Sequence, residues 1–184
     1  FILAIEKHRE EGSFVIDDKP VEKERTYKTG DDFLLIDDKV SNINFKLSKC
    51  CSPVFGDDIF GFVTVGDGIK VHRTNCPNAA QLISKYGYRI VKARWNKSDG
   101  TTSFPAEIKI SGEDSPGLLN NISDVISREF KVALRSISLD TENGVFQGKL
   151  KLVVLDTKHL DYLIARLNKI KGIYSVKRQD NLTD

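Results

Sequence analysis

Apolar and polar positions alternate through much of the second half of the chain. In FPAEIKISGED (104–114) Ala106, Ile108 and Ile110 fall on every second position, the period of a strand with one buried face. SPGLLNNISDVISREF (115–130) changes period. Its apolar residues at 118, 119, 122, 125, 126 and 130 form the stripe of an amphipathic helix. VALRSISLD (132–140) and VFQGKLKLVVLD (145–156) read as strands on either side of Glu142-Asn143-Gly144, a tight hairpin turn. TKHLDYLIARLNKIKG (157–172) predicts a second helix, with Thr157 as N-cap, Leu160, Leu163, Ile164, Leu167 and Ile170 on one face, and Gly172 as C-cap. IYSVKRQ (173–179) closes the set as a strand.

The order over residues 99–184 is therefore β-α-β-β-α-β, the ferredoxin-like split βαβ arrangement of one sheet with two helices on one face. Residues 31–98 read differently, as a small β-rich module. FLLID (33–37), NINFKLSKC (42–50), IFGFVTV (59–65), IKVH (69–72) and YRIVKARW (88–95) predict short strands, with GDG (66–68) as a hairpin turn. NAAQLISKYG (78–87) predicts one short helix after Pro77, closed by Gly87. The fold class is thus α+β, with NKSDGTTS (96–103) as a polar linker between the two units. FILAIEKHREEG (1–12) suits the last turns of a helix from a preceding helical domain, and 13–30 a charged linker. A chain that starts at Phe1 and holds no methionine is expected to be a piece of something longer.

The 40% apolar and 29% charged composition is that of a globular protein, with no apolar run long enough for a membrane helix and no signal-peptide layout. Net charge is +2 but unevenly placed: residues 1–43 carry 7 basic and 11 acidic side chains, 44–98 carry 9 and 3, and 99–184 carry 12 and 12. The basic excess sits with the three cysteines, and suits either a nucleic-acid footprint or an ordinary solvated surface. Three cysteines are too few for a secreted disulfide framework, which favours a reducing cytoplasm.

Cys50, Cys51, His72 and Cys76 supply a Cys3His set, one of the closed zinc combinations. Adjacent cysteines on a strand face opposite ways, so both can ligate only if the chain turns there, which Ser52-Pro53 permits. Three alternatives stand beside zinc: a Cys–His nucleophile pair, a strained vicinal disulfide, and cysteines buried as small hydrophobes. The loop Asp114-Ser115-Pro116-Gly117 leads into a helix start suited to a small anion, or else Ser115 simply caps that helix and Pro116 begins it. His8 and His159 read as solvent-facing helix residues. No phosphate-binding G-x-x-x-x-G-K-[ST], serine elbow or carboxylate pair argues for catalysis.

LSKCCSPVFGDDIFGFVTVGDGIKVHRTNCPN (47–78) closely resembles the cysteine-rich zinc-finger (RIS) module of the long RelA/SpoT-homologue alarmone enzymes, which make and degrade (p)ppGpp. Residues 104–184 resemble the ACT domain that ends those proteins. The resemblance implies a non-catalytic C-terminal regulatory region whose parent is a GTP pyrophosphokinase or (p)ppGpp hydrolase of the stringent response. It implies a ribosome with deacylated tRNA as partner, contact with 23S rRNA, and zinc on Cys50, Cys51, His72 and Cys76. It also implies control of catalytic domains in the same chain, a small amino acid at Asp114, Ser115, Pro116, Gly117, Leu118 and Leu119, and a homodimer through the ACT part. The cations expected on an RNA backbone are Lys46, Lys49, Lys70, Arg73, Lys85, Arg89, Lys92 and Arg94, where seven contacts would give a log–log salt slope of roughly −6. An ACT module that binds an amino acid or dimerises without touching RNA is the alternative. Ser52 departs from the Asn usual before Pro53 in that family.

Overall fold

A computed structural model describes residues 27–28, 34–36, 44–96 and 100–180. The expected helical stub at 1–12 and most of the linker at 13–30 lie outside the described residues. Those described form two sheets. The first comprises β1 (Tyr27–Lys28), β2 (Leu34–Ile36), β3 (Asn44–Leu47), β4 (Ile59–Val63), β5 (Ile69–Arg73) and β6 (Ile90–Trp95). Their order is β1-β3-β5-β4-β6-β2, with β3 and β5 parallel and every other pair antiparallel. Tyr27 and Lys28 pair with Phe45 and Asn44, so part of the expected linker is a strand of this sheet. Gly61 lies between neighbours that leave no room for a side chain: a Cβ there would stand 2.6 Å from Val91 Cγ2. α1 (Ala79–Tyr86) crosses between β5 and β6. Pro77 precedes the helix instead of opening it, and Gly87 continues into a 3-10 turn, Gly87–Arg89, with a right-handed φ of −51°.

The second sheet contains β7 (Phe104–Glu113), β8 (Ala133–Glu142), β9 (Val145–Val154) and β10 (Ile173–Arg178) in the antiparallel order β10-β7-β9-β8. Its helices are α2 (Leu118–Asp124) and α3 (Thr157–Leu167). β7 and β9 keep the predicted alternation, burying Ala106, Ile108, Ile110, Leu150, Leu152 and Val154 against Leu118, Ile122, Leu160, Leu163 and Leu167. Asn143 and Gly144 both have positive φ, 51° and 76°, the two-residue turn that matches strand twist. The helix predicted over 115–130 is not uniform. It starts at Leu118 behind Gly117 (φ 84°), and Val125–Glu129 widen into a π-helical stretch. Asp156, not Thr157, caps α3, its Oδ1 accepting from His159 N at 2.7 Å. His159 is half-buried rather than solvent-facing, with its ring stacked 5.9 Å from Phe130.

The two units are not beads on a linker. One apolar core runs from Leu34, Phe45, Val54, Ile69 and Val71 of the first to the ferredoxin-like second. Across the junction Trp95 stands 5.7 Å from Phe55 and 5.4 Å from Phe104, ring centre to ring centre. Polar contacts fix the same seam. Arg178 on β10 grips Asp57 with both guanidinium nitrogens, at 2.9 and 2.8 Å, and also donates to the Ser52 carbonyl at 2.7 Å. Trp95 Nε1 donates to the Asp57 carbonyl and Thr157 N to the Phe55 carbonyl. Gly56 (φ 97°) lets the loop approach, since a Cβ there would sit 2.6 Å from Thr157 Oγ1.

Both charges of the Arg178–Asp57 pair are largely desolvated, their side chains 16% and 11% exposed. Removing one leaves the other buried without its partner. Arg178→Met should therefore lower unfolding free energy by about 2–4 kcal/mol, measured by urea denaturation. The double variant with Asp57→Asn, which removes the charge but keeps an acceptor for Val54 N, should recover part of that loss, and strict additivity would contradict the pairing.

Candidate metal centre and nucleic-acid interface

Residues 48–51 leave β3 in a turn closed by Ser52 N donating to the Ser48 carbonyl at 2.9 Å. That turn removes the strand constraint and points Cys50 and Cys51 to the same side. Ser52 takes a left-handed φ of 41°, a region that Asn and Gly enter more readily than Ser. His72 comes from the end of β5, and Cys76 from the turn before α1, where Cys76 N donates to the Arg73 carbonyl. All four side chains are buried, and their donor atoms lie within 4.8 Å of one another. Cys50 Sγ is 3.4 Å from both His72 Nδ1 and Cys76 Sγ, and Cys76 Sγ is 3.8 Å from His72 Nδ1.

A tetrahedral ion with bonds of about 2.3 Å to sulfur and about 2.0 Å to nitrogen would set its ligands roughly 3.5–3.8 Å apart. The separations among Cys50, His72 and Cys76 come close to that frame, and the cluster of four could hold a metal ion. Two neighbours absent from the sequence reading support it. Ser48, buried, places Oγ 2.9 Å from His72 Nε2, so with Nδ1 as the ligating atom Nε2 keeps its proton and donates it to Ser48. Phe60 stacks on the imidazole at 5.5 Å. Arg73 N donates to Cys51 Sγ at 3.3 Å.

The thiols divide into unlike roles. A hydrogen bond from Cys51, helped by His72 and Cys76, pulls Cys50 from 9.0 down to about 4, against the opposing effect of burial. Cys51 is pushed up by its hydrogen bond to Cys50 and by burial, and Cys76 chiefly by burial. At neutral pH Cys50 is a thiolate while Cys51 and Cys76 keep their protons. A divalent ion entering the cluster must then displace two protons, and affinity falls as pH falls. With Co2+ as a spectroscopic probe, the logarithm of apparent affinity should rise by about 2 per pH unit between about pH 7 and about pH 8.5. A slope of 3 would show that Cys50 is an ordinary thiol.

The eight expected RNA-contacting cations are dispersed. Lys85, Lys92 and Arg94 are exposed, and Arg89 is half-buried on α1, its following turn and β6. Among the described residues none of the four makes an ion pair. Lys49 is exposed, Lys70 is half-buried, and Lys46 lies 3.5 Å from Asp67. Arg73 is the correction: it is 5% exposed and paired with Asp180 near the end of the second unit, so it faces the interior seam and not a nucleic-acid backbone. Arg89 also lies over two rings, 5.6 Å from Tyr86 and 5.5 Å from Tyr88. The sequence signal for that group was Tyr-Gly-Tyr-Arg at 86–89.

In the second unit's loop, Asp114 and Pro116 are exposed and Ser115 is half-buried. Ser115 does not cap α2 with its side chain; Gly117 occupies that position. Leu118 turns into the core at 5% exposure, whereas Leu119 is 48% exposed, so the two leucines do not line one surface. Backbone N–H groups of Glu113, Asp114 and Leu118 donate to the carbonyls of Gly172, Gly144 and Ser115. No helix among the described residues is long and apolar enough to cross a membrane.

The βαββαβ sheet and the cysteine-bearing module that precedes it are those of two known domains: residues 35–96 match the RelA/SpoT RIS domain and 100–178 the ACT domain. The chain belongs to the RelA/SpoT family and carries these two domains of it. It is 37% identical over 134 residues to the bifunctional (p)ppGpp synthase/hydrolase RelA of Mycobacterium tuberculosis, a match spanning 72% of this chain and 18% of that protein. It is 30% identical over 143 residues to the GTP pyrophosphokinase of Escherichia coli, spanning 76% of this chain and 19% of the relative. The matched region is thus less than a fifth of these relatives' length. The crystal structure of the ACT domain from GTP pyrophosphokinase of Chlorobium tepidum is 38% identical, covers 42% of this chain and all of its own, and gives a TM-score of 0.39.

Proposed function

We propose that this chain is the RNA-sensing C-terminal regulatory region of a cytoplasmic (p)ppGpp synthetase/hydrolase, docking on the ribosome and thereby controlling catalytic domains elsewhere in its parent. The observation that carries this reading is the strip Thr74–Asn96. It holds Lys85, Arg89, Lys92 and Arg94, contains no acidic residue, and shows no ion pair among the described residues. A duplex backbone is the complementary partner for such a strip, through phosphate contacts that give affinity with little sequence information. Zinc is the ion proposed for the cluster, because three sulfurs and one imidazole with no open position make a structural site. It would clip the turn after β3 to the end of β5 and the approach to α1, holding the strip in place.

Four phosphate contacts, one from each cation of this strip, would give a salt slope of roughly −3 to −4. Fluorescence anisotropy with a labelled 23S rRNA hairpin, on reduced protein carrying one zinc per chain by mass spectrometry, should give that slope. Lys85→Gln/Lys92→Gln/Arg94→Gln should bring it to about −1. Salt-insensitive binding, or protein without zinc binding equally well, would refute this reading.

A second reading draws on β8. All ten of its residues are exposed or half-buried, it forms the edge of its sheet, and Ile137 and Leu139 are 41% and 36% exposed. Two such edges can pair antiparallel to make a homodimer. Sedimentation should then show a dimer that Leu139→Lys converts to monomer; a wild-type monomer at high concentration would exclude it. A small amino acid at residues 114–119 rests on family resemblance alone.

A further inference from the structure

We propose that Tyr86, Tyr88 and Arg89 form a stacking platform for unpaired nucleobases, so that the basic strip grips a single-stranded or looped segment as well as a duplex backbone. The proposal rests on the RNA reading above and specifies which part of an RNA the strip takes. The 3-10 turn Gly87–Arg89 between α1 and β6 turns Tyr88 outward, leaving it 80% exposed. Tyr86, 40% exposed, is steadied from beneath by an edge contact with Phe62 at 6.2 Å. Arg89 lies between them, its guanidinium carbon 5.5 Å and 5.6 Å from the two ring centres. The surface around Gly87 is open, for a Cβ added there would meet nothing within 4 Å.

Burial does not account for Tyr88, which presents a large ring to water where a small polar residue would serve the turn equally well. Aromatic faces and an arginine plane set among cations are what splayed bases stack upon. Lys85 precedes the platform, and Lys92 and Arg94 follow it on β6, placed to take the flanking phosphates. Charge also selects the occupant: with no acid from Thr74 to Asn96, the surface repels cations and suits a polyanion that carries rings.

The test uses the intact reduced chain with two labelled probes, a single RNA strand of about 12 nucleotides and an RNA duplex of about 12 base pairs. Tyr88→Ala should weaken the single strand by about tenfold to about a hundredfold and leave the duplex unchanged. Tyr88→Trp should retain single-strand binding, and Tyr86→Leu, which keeps an apolar contact for Phe62, should weaken it. Stacking ignores the sugar, so a DNA strand of the same sequence should suffer the same loss. Lys85→Gln/Lys92→Gln/Arg94→Gln separates the two levels. If that variant loses both probes while Tyr88→Ala loses neither, the platform is wrong and the RNA reading survives. If wild type binds neither probe, both fail. Unchanged strand binding by Tyr88→Ala together with lost binding of poly-glutamate would overturn the proposal in favour of an acidic protein partner.

Discussion

The turn from Ser48 to Asp57 is gripped at both ends, and the arrangement of the molecule depends on it. At one end Cys50 and Cys51 enter the buried cluster with His72 and Cys76. At the other, Asp57 and the Ser52 carbonyl are held by Arg178, 121 residues from Asp57 along the chain. The loop meets part of its own backbone, Val54 N through the Asp57 carboxylate, and the rest is met from outside: the Asp57 carbonyl by Trp95, the Phe55 carbonyl by Thr157. The cysteine-bearing module leans on its neighbour for these contacts. Among the described residues its second cluster buries Cys50, Cys51, Phe60, Cys76 and Ala79, with Phe62, Leu82 and Ile90 packed against them, a small core of its own.

Arg73 ties the same elements together from the inside. Its backbone N–H reaches Cys51 and its guanidinium reaches Asp180, so one residue touches both the thiol cluster and the tail beyond β10. Cations divide accordingly: those facing the seam hold the domains together, and those on α1 and β6 face outward. The seam is also where the residues matched by the RIS domain meet those matched by the ACT domain.

The ferredoxin-like half was legible because its signals are local. Ile108, Ile110, Leu150 and Leu152 alternate on central strands, and Asn143-Gly144 selects its turn without outside help. The grouping of Cys50, Cys51, His72 and Cys76 was suggested by donor chemistry and spacing, and the structure brings all four into one cluster that could hold a metal ion. What escaped was non-local. Nothing near Arg178 in sequence marks it as the partner of Asp57, and nothing near Arg73 says that its charge is turned inward. Tyr27 and Lys28 sit in a charge-rich stretch with no periodicity, yet pair with β3 because an open edge accepts almost any backbone. The π-helical stretch at Val125–Glu129 likewise hides inside a regular apolar stripe, which sets the face of a helix but not its winding.

Trp95 is the only tryptophan in the 184 residues, and it stands at the seam, between Phe55 of the turn and Phe104 of the second sheet, with its indole N–H committed to a backbone carbonyl. The chain therefore contains a native optical reporter at the place where its two domains meet. Parting of the domains would let water reach the indole and shift its emission to longer wavelength, whereas events confined to the outer face of α1 would leave the spectrum unchanged. Opening of the seam can thus be followed in the unlabelled protein, in real time, and told apart from events confined to the outer surface.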